Sequence, residues 1–346
     1  MRAVLGLSRP PVVLILAMFG ALGLAEATGH GIPGWPLVRV LAVVVGFVLF
    51  SAALNDLADE PIDRVNLPGD RRRPLVTGDA TAMDMRVIAA VGGAIALVAA
   101  ALTDWRVLVV AGGGLALSAA YSLRPLRLAD RGALASLVLP GAYVAVPYLA
   151  GLWSAGNTAA WSAFALLPGL YAGFVGRIVL KDFRDIRGDR LFGKRTFVVR
   201  HGRRATCWFS AACWVVGLVW ISIVKGSPFL GGVMGIFVVA VLLALRALAA
   251  ERGFRQDERL IAAIAILGRG LVLSLLAFDA ALAALWRAAG VDALVAALLL
   301  VSLGQARSMV RTGPTGFQPR VPPAASVAEG RDGGAAETVL ASQIGE

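Results

Sequence analysis

Asp56, Asp59 and Asp63, with Asn55 beside them, form one short acidic segment, and Asp182, Asp185 and Asp189, preceded by Lys181, form another. Each lies just past the end of a long apolar stretch. Carboxylates at i, i+3 and i+7 share one face of a helix, so each set of three is expected to converge on a point. Such clusters of hard oxygen donors repel themselves unless a cation sits among them. Two of them at a membrane boundary point to magnesium ions holding a diphosphate. A single carboxylate at a solvated helix end is commonplace. The same spacing twice, after the second and the sixth apolar stretches, reads instead as two parts of a bundle that each supply one side of a single site.

The elements that must position these residues are membrane helices. The 346-residue chain is 58% hydrophobic with a mean hydropathy of +0.76, more apolar than a protein whose helices each present a face to water. Apolar stretches about as long as a hydrocarbon core is thick run from 11 to 28, 36 to 54, 86 to 102, 107 to 121, 133 to 152, 160 to 180, 205 to 224, 229 to 250 and 260 to 285. A tenth, from 291 to 304, makes the count nine or ten. Gly112, Gly113, Gly114, Pro140, Pro147 and Pro168 inside these stretches suit a bundle around a pocket, because neighbouring helices or a cavity can satisfy the backbone groups they free. No small-residue cleavage pattern follows the first stretch, which therefore reads as a span and not as a signal peptide.

The net charge of +11 is not a nucleic-acid footprint, because it is sorted by loop. Arg64, Arg71 to Arg73, Arg124, Arg127, Arg131, the run from Lys181 to Arg204, and Arg252, Arg255 and Arg259 fall on one side. Only Arg39, Arg106, Lys225 and Arg287 fall on the other. The positive-inside rule makes the first side cytoplasmic, and both acidic segments lie there. Cys207 and Cys213 do not share a helix face and read as packing residues. His30 falls on the far side and His201 among loop arginines, so neither is read as catalytic. Residues 305 to 346 carry no apolar period and read as a disordered tail behind a transmembrane domain of residues 1 to 304.

The motifs resemble those of the UbiA-type intramembrane prenyltransferase superfamily. Its first motif, NDxxDxxxD after the second helix, is matched by Asn55, Asp56, Asp59 and Asp63; its second, after the sixth, by Asp182, Asp185 and Asp189. Arg73-Pro74 to Gly78 is similar to the family's RPxxSG, and Tyr121-Ser122 to Arg127 is similar to its YSxxPxRLK loop. Arg9-Pro10 and Gly193-Lys194 to Thr196 also fit, and the likeness covers roughly residues 8 to 285. One departure is Pro61, which lacks an N–H for Leu57 and disfavours helix at Glu60, so Asp63 is placed by a turn if the helix ends there.

The resemblance implies an all-α bundle with a central cavity opening toward the cytoplasmic face of the cell membrane. Two magnesium ions would bridge the Asn55, Asp56, Asp59 and Asp63 set and the Asp182, Asp185 and Asp189 set to an isoprenyl diphosphate and let its allylic bond ionise, with Asp59, Asp185 and Lys181 central to the chemistry. Arg73 and Lys194 would complete the neutralisation. Arg177, one turn before Lys181, either faces the same cavity or snorkels to the interface. Tyr121, Ser122 and Arg124 either reach a phosphate or acceptor, or form an aromatic belt with topogenic arginines. The acceptor is expected to be an aromatic quinone precursor or a related ring. The other readings are a terpene cyclase, a lipid or tetrapyrrole prenyltransferase and, from another class, a cation-coupled transporter, which would carry its carboxylates near the bilayer midplane.

Overall fold

Pro10 and Pro11 open helix α1 (Pro10–Ala27), in a first turn whose N–H groups have no intrahelical partner to lose. The computed structural model describes residues 9–29, 34–66, 73–156, 161–250, 253–282 and 285–312, and every regular element among them is helical. α2 (Gly34–Asn66) is about 50 Å long at 1.5 Å per residue, enough to cross a bilayer and carry its last turns beyond it. The single turn α3 (Pro74–Thr77) stops at Gly78, which adopts a φ of 77°. α4 (Ala82–Ala101) starts on a capping box between Thr81 and Asp84, and α5 (Trp105–Ser122) starts on Asp104, whose carboxylate accepts from the Arg106 N–H. α6 (Ala133–Trp153) and α7 (Trp161–Ile178) follow, then the short α8 (Ile186–Leu191). The last four are α9 (Phe197–Lys225), bent at Gly202, α10 (Pro228–Ala249), α11 (Phe254–Leu282) and α12 (Leu285–Thr312).

Nine helices among the described residues are long and apolar enough to span a membrane, while the apolar part of α12, Val295–Arg307, is shorter. α12 packs on α11 and α1 and runs past residue 304, the expected end of the membrane domain, to Thr312. The rest of the expected disordered tail lies outside the described residues.

Lipid tails are as apolar as leucine, so close backbone approach has to bring these helices together. Trp208, Phe229 and Ile236 accordingly stand on the outer surface. α1 and α6 meet through glycines: a Cβ on Gly23 would lie 2.0 Å from the Tyr148 carbonyl oxygen, and one on Gly151 2.0 Å from that of Gly20. Gly46 on α2 seats α4 in the same way, since a Cβ there would lie 2.5 Å from the carbonyl of Gly92.

The two ends of the bundle are chemically distinct. At the end opposite the acidic motifs, Lys225 joins Glu26 and, at 2.8 Å, Asp279, tying the ends of α1, α9 and α11 together. Arg269 and Asp279 lie ten residues apart on α11, about 15 Å along the helix axis. Arg269 donates to Gln305 of α12 at 2.8 Å. At the motif end Arg203 of α9 pairs with Asp257 of α11, and the loops carrying the acidic segments gather there.

Candidate active site

The first motif sits on the projecting turns of α2. The helix does not stop at Pro61 but continues to Asn66, keeping Asp63 on the helical face of Asp56, two turns further on. Only one backbone hydrogen bond is forgone at Pro61, close to the helix end, and a side-chain bridge spans the place. Arg73, entering from the loop before α3, pairs with Asp56 and lies 3.2 Å from Asp63. Arg9 also donates to Asp56, and Arg127 donates to Asp59 at 3.0 Å. Lys194 approaches Asp59 at 3.6 Å, and the Asn55 amide donates to the same carboxylate at 3.3 Å. Burial works against the Arg73 charge, but Asp56 and Asp63 outweigh it and hold the guanidinium more firmly protonated than usual.

The second motif does not lie on one continuous α-helix face, as its spacing suggested. α7 gives way to a 3-10 turn over Val179–Phe183, and Asp185 then sits at the start of α8. The break turns the chain so that Asp182, Asp185 and Asp189 come from a tight turn and a new helix. Burial would raise the Asp185 carboxyl, but Arg184, hydrogen-bonded at 3.2 Å, outweighs it with Arg73 and Lys194 behind, and holds the group below the usual carboxylate range. Asp189 is almost fully buried, and that burial, with Asp185 and Asp182 beside it, pushes its carboxyl up to about 7 against the pull of Lys194 at 4.0 Å. The Gly188 N–H donates to the Asn66 side chain at 2.7 Å, fastening α8 to the end of α2 and the two motifs to each other.

Between the motif end and the bundle interior lies a cavity of about 240 Å³. Asn55, Arg73, Tyr121, Arg177, Lys181 and Arg184 contribute to its polar wall, and Leu139, Phe174, Ile178, Ile261 and Ile264 to its apolar depth. Lys181 donates to the Tyr121 hydroxyl at 3.1 Å, and Tyr143, hydrogen-bonded to Ser51 at 3.1 Å, presents a second aromatic ring. Of the expected site residues Ser122 is buried at the end of α5, while Arg124 stands exposed, and it is Arg127 that turns inward to Asp59. Arg127 and Arg9 could be read only as parts of family-like loops, and Glu258 and Tyr143, which also line the cavity, gave no signal in the sequence.

Among the described residues no three His, Cys, Asp or Glu side chains are gathered closely enough to hold a metal ion in this arrangement. The aspartates are drawn apart onto basic partners. The donor set nonetheless fits a hard divalent cation: six of the seven motif groups are carboxylates and the seventh, Asn55, offers an amide oxygen, while buried oxygens of Asp56 and Asp189 accept no hydrogen bond.

A model of the UbiA prenyltransferase family matches residues 13–267. The chain is 30% identical over 250 residues to the bacteriochlorophyll synthase 34 kDa chain of Chloroflexus aurantiacus, covering 69% of this chain and 74% of that one. It is 28% identical over 255 residues to the digeranylgeranylglyceryl phosphate synthase of Methanoculleus marisnigri, covering 71% of this chain and 86% of that one. In fold it is similar to a UbiA homolog from Archaeoglobus fulgidus bound to GPP and Mg2+, with a TM-score of 0.62 and 18% identity over 80% of this chain and 99% of that one.

Proposed function

The chain belongs to the UbiA prenyltransferase family and is a multi-pass membrane prenyltransferase, and from that premise we propose that it ionises an isoprenyl diphosphate with the help of magnesium and joins the allylic carbon to an acceptor ring or lipid. The observation that carries the reading is that Gly188 and Asn66 fasten the two aspartate-bearing segments to each other, while Asn55 and Arg73 beside the first motif and Lys181 and Arg184 beside the second line one cavity with a largely apolar wall. Asn55, Asp56, Asp59 and Asp63 on one side and Asp182, Asp185 and Asp189 on the other would hold the magnesium. When bound there it supplies the positive charge that a diphosphate leaving group needs.

The residues of the chain do the rest. Most cations at the motif level are committed to carboxylates, so a diphosphate entering alone would find little surplus positive charge. Lys181 is the exception: its partner is the neutral Tyr121 hydroxyl, and its ammonium is available to a phosphate oxygen. Arg73 and Lys194 become available to the diphosphate if the aspartates they now contact take up a cation. The isoprenyl tail lies along the apolar lining that includes Leu139, Ile178 and Ile264. The faces of Tyr121 and Tyr143 offer the allylic cation a π surface instead of a nucleophile. An electron-rich acceptor attacks such a cation without a strong base, which suits a cavity with no histidine among its described lining residues.

For the acceptor, an aromatic quinone precursor is one reading. The names of the two relatives support a second: a tetrapyrrole or a glyceryl phosphate lipid. Membranes containing the protein, given magnesium and labelled geranylgeranyl diphosphate, release pyrophosphate slowly alone and several-fold faster with the correct acceptor, because capture of the cation competes with its return. Equal rates with every acceptor, together with a cyclic hydrocarbon product, would identify a cyclase.

The excess of loop arginines at the motif end supports a site open to the cytoplasm. Cysteines placed at Ala80, Leu128 and Leu191 are expected to react with an impermeant maleimide from the cytoplasmic side, and one at Gly156 from the opposite side. The inverse pattern would reverse the orientation.

A further inference from the structure

Arg177 is a cation with no anionic partner among the described residues. It lies near the end of α7, four residues before Lys181 and roughly 7 Å deeper into the bundle, the chain between them passing from α-helix into the 3-10 turn. Each of the other basic side chains around the cavity has a polar partner. Arg9 and Arg73 hold Asp56, Arg127 and Lys194 hold Asp59, Arg184 holds Asp185, and Lys181 holds the Tyr121 hydroxyl. Among the described residues Arg177 pairs with no carboxylate, hydroxyl or carbonyl. Its contact is the ring of Phe174, 5.5 Å from the guanidinium carbon.

The charge felt most strongly at Arg177 makes matters worse. Arg269 on α11 is close enough for the two like charges to repel. Glu258 lines the same cavity, but the charge it bears on is Arg184. The Arg177 side chain borders the main cavity and also a smaller apolar void of about 50 Å³ behind Phe174. A desolvated guanidinium at this depth is costly unless an anion meets it. Its planar fork of N–H donors matches a carboxylate or a phosphate.

We propose that Arg177 binds the anionic head, a carboxylate or a phosphate, of the prenyl acceptor. The proposal rests on the prenyltransferase reading and adds the acceptor's chemical class to it. The donor diphosphate is drawn to the aspartate motifs and Lys181, and Arg177 lies one turn beyond them on α7, beside Phe174, where it borders both the main cavity and the smaller apolar void. A charge anchored there, with a flat or greasy skeleton filling the turn of helix up to Lys181, presents the acceptor's nucleophile toward the allylic carbon. Arg177 thereby selects an acid over its neutral analogue and positions it.

Binding decides the matter without turnover. Purified full-length protein in lipid nanodiscs with magnesium is titrated with geranyl diphosphate, with 4-hydroxybenzoate and with geranylgeranylglyceryl phosphate, and each acid is compared with its neutral ester, the methyl ester of the benzoate and the dimethyl triester of the phosphate. The wild type is expected to prefer at least one acid over its ester by about tenfold or more, as a charge-assisted pair in a desolvated site requires. Arg177→Gln and Arg177→Met, the latter keeping the stem against Phe174, are expected to erase that preference, and Arg177→Lys to keep part of it. All three variants are expected to shift the affinity for geranyl diphosphate much less. No acid preferred over its ester by the wild type overturns the proposal, and so does a preference that survives in the folded Gln or Met variant. Equal weakening of geranyl diphosphate and acid also overturns it, by placing the arginine in the donor site. A wild-type protein that binds no prenyl diphosphate contradicts the transferase mechanism instead, and the acid-against-ester comparison is still read on its own.

Discussion

Prenyl transfer is expected to fall by about a thousandfold or more in Asp59→Asn and in Asp185→Asn, because each removes a formal charge from one of two clusters that must act on the same diphosphate. Asparagine keeps the size and hydrogen-bonding oxygen of aspartate, and the surroundings can absorb the change. Arg127, released from Asp59, retains Asp130 at 2.7 Å, and Lys194 retains Asp189. Arg184 can still donate to the amide oxygen of an asparagine at 185. Both variants should therefore insert, elute from size exclusion as wild type does and keep their thermal midpoint within a few degrees. Asp56 is a poorer choice, since losing it would leave Arg9 without its carboxylate and Arg73 with Asp63 alone in a buried site. Folded Asp59→Asn and Asp185→Asn proteins with near wild-type turnover would remove the aspartates from the chemistry.

Lys181→Met is expected to lower kcat by about a hundredfold to a thousandfold, the range typical of deleting one preorganised electrostatic donor from a dry site. Methionine keeps the apolar stem and leaves only the Tyr121 hydroxyl without its partner, so the loss is electrostatic more than structural. The leaving diphosphate gains charge in the transition state. Removing Lys181 should therefore depress kcat more than it raises the donor KM. Lys181→Arg is expected to recover part of the rate. A rise in KM alone, with kcat preserved, would reduce Lys181 to a ground-state binding residue.

The aspartate motifs, Arg73, Lys181, Lys194 and Tyr121 were legible in the sequence because their types and spacings are local, and the spans were legible because hydropathy is too. What escaped depends on contacts between distant segments. Arg9 meets Asp56 and Arg127 meets Asp59 across gaps of 47 and 68 residues, and no local periodicity encodes them. Glu258 and Tyr143 look like an interfacial acid and a packing aromatic until the bundle closes around them. Arg124 and Arg127 are indistinguishable by composition, yet only the second turns inward. At Pro61 and at the second motif tertiary packing decides what local helix rules leave open. Pro61 is tolerated because only one backbone bond is at stake near the end of α2. The second motif breaks because the chain must leave α7 and re-enter as α8 beneath Asn66.

The central claim is that both aspartate clusters act on a diphosphate through a divalent cation, and the rate of pyrophosphate release from labelled geranylgeranyl diphosphate by purified protein, with EDTA and then with excess magnesium, tests it most directly. The account predicts release that stops in EDTA and returns with magnesium, and no recovery in Asp59→Asn or Asp185→Asn at the same concentration. Full-rate release in EDTA, or no release from any prenyl diphosphate while the protein carries a cation into sealed vesicles, would contradict it.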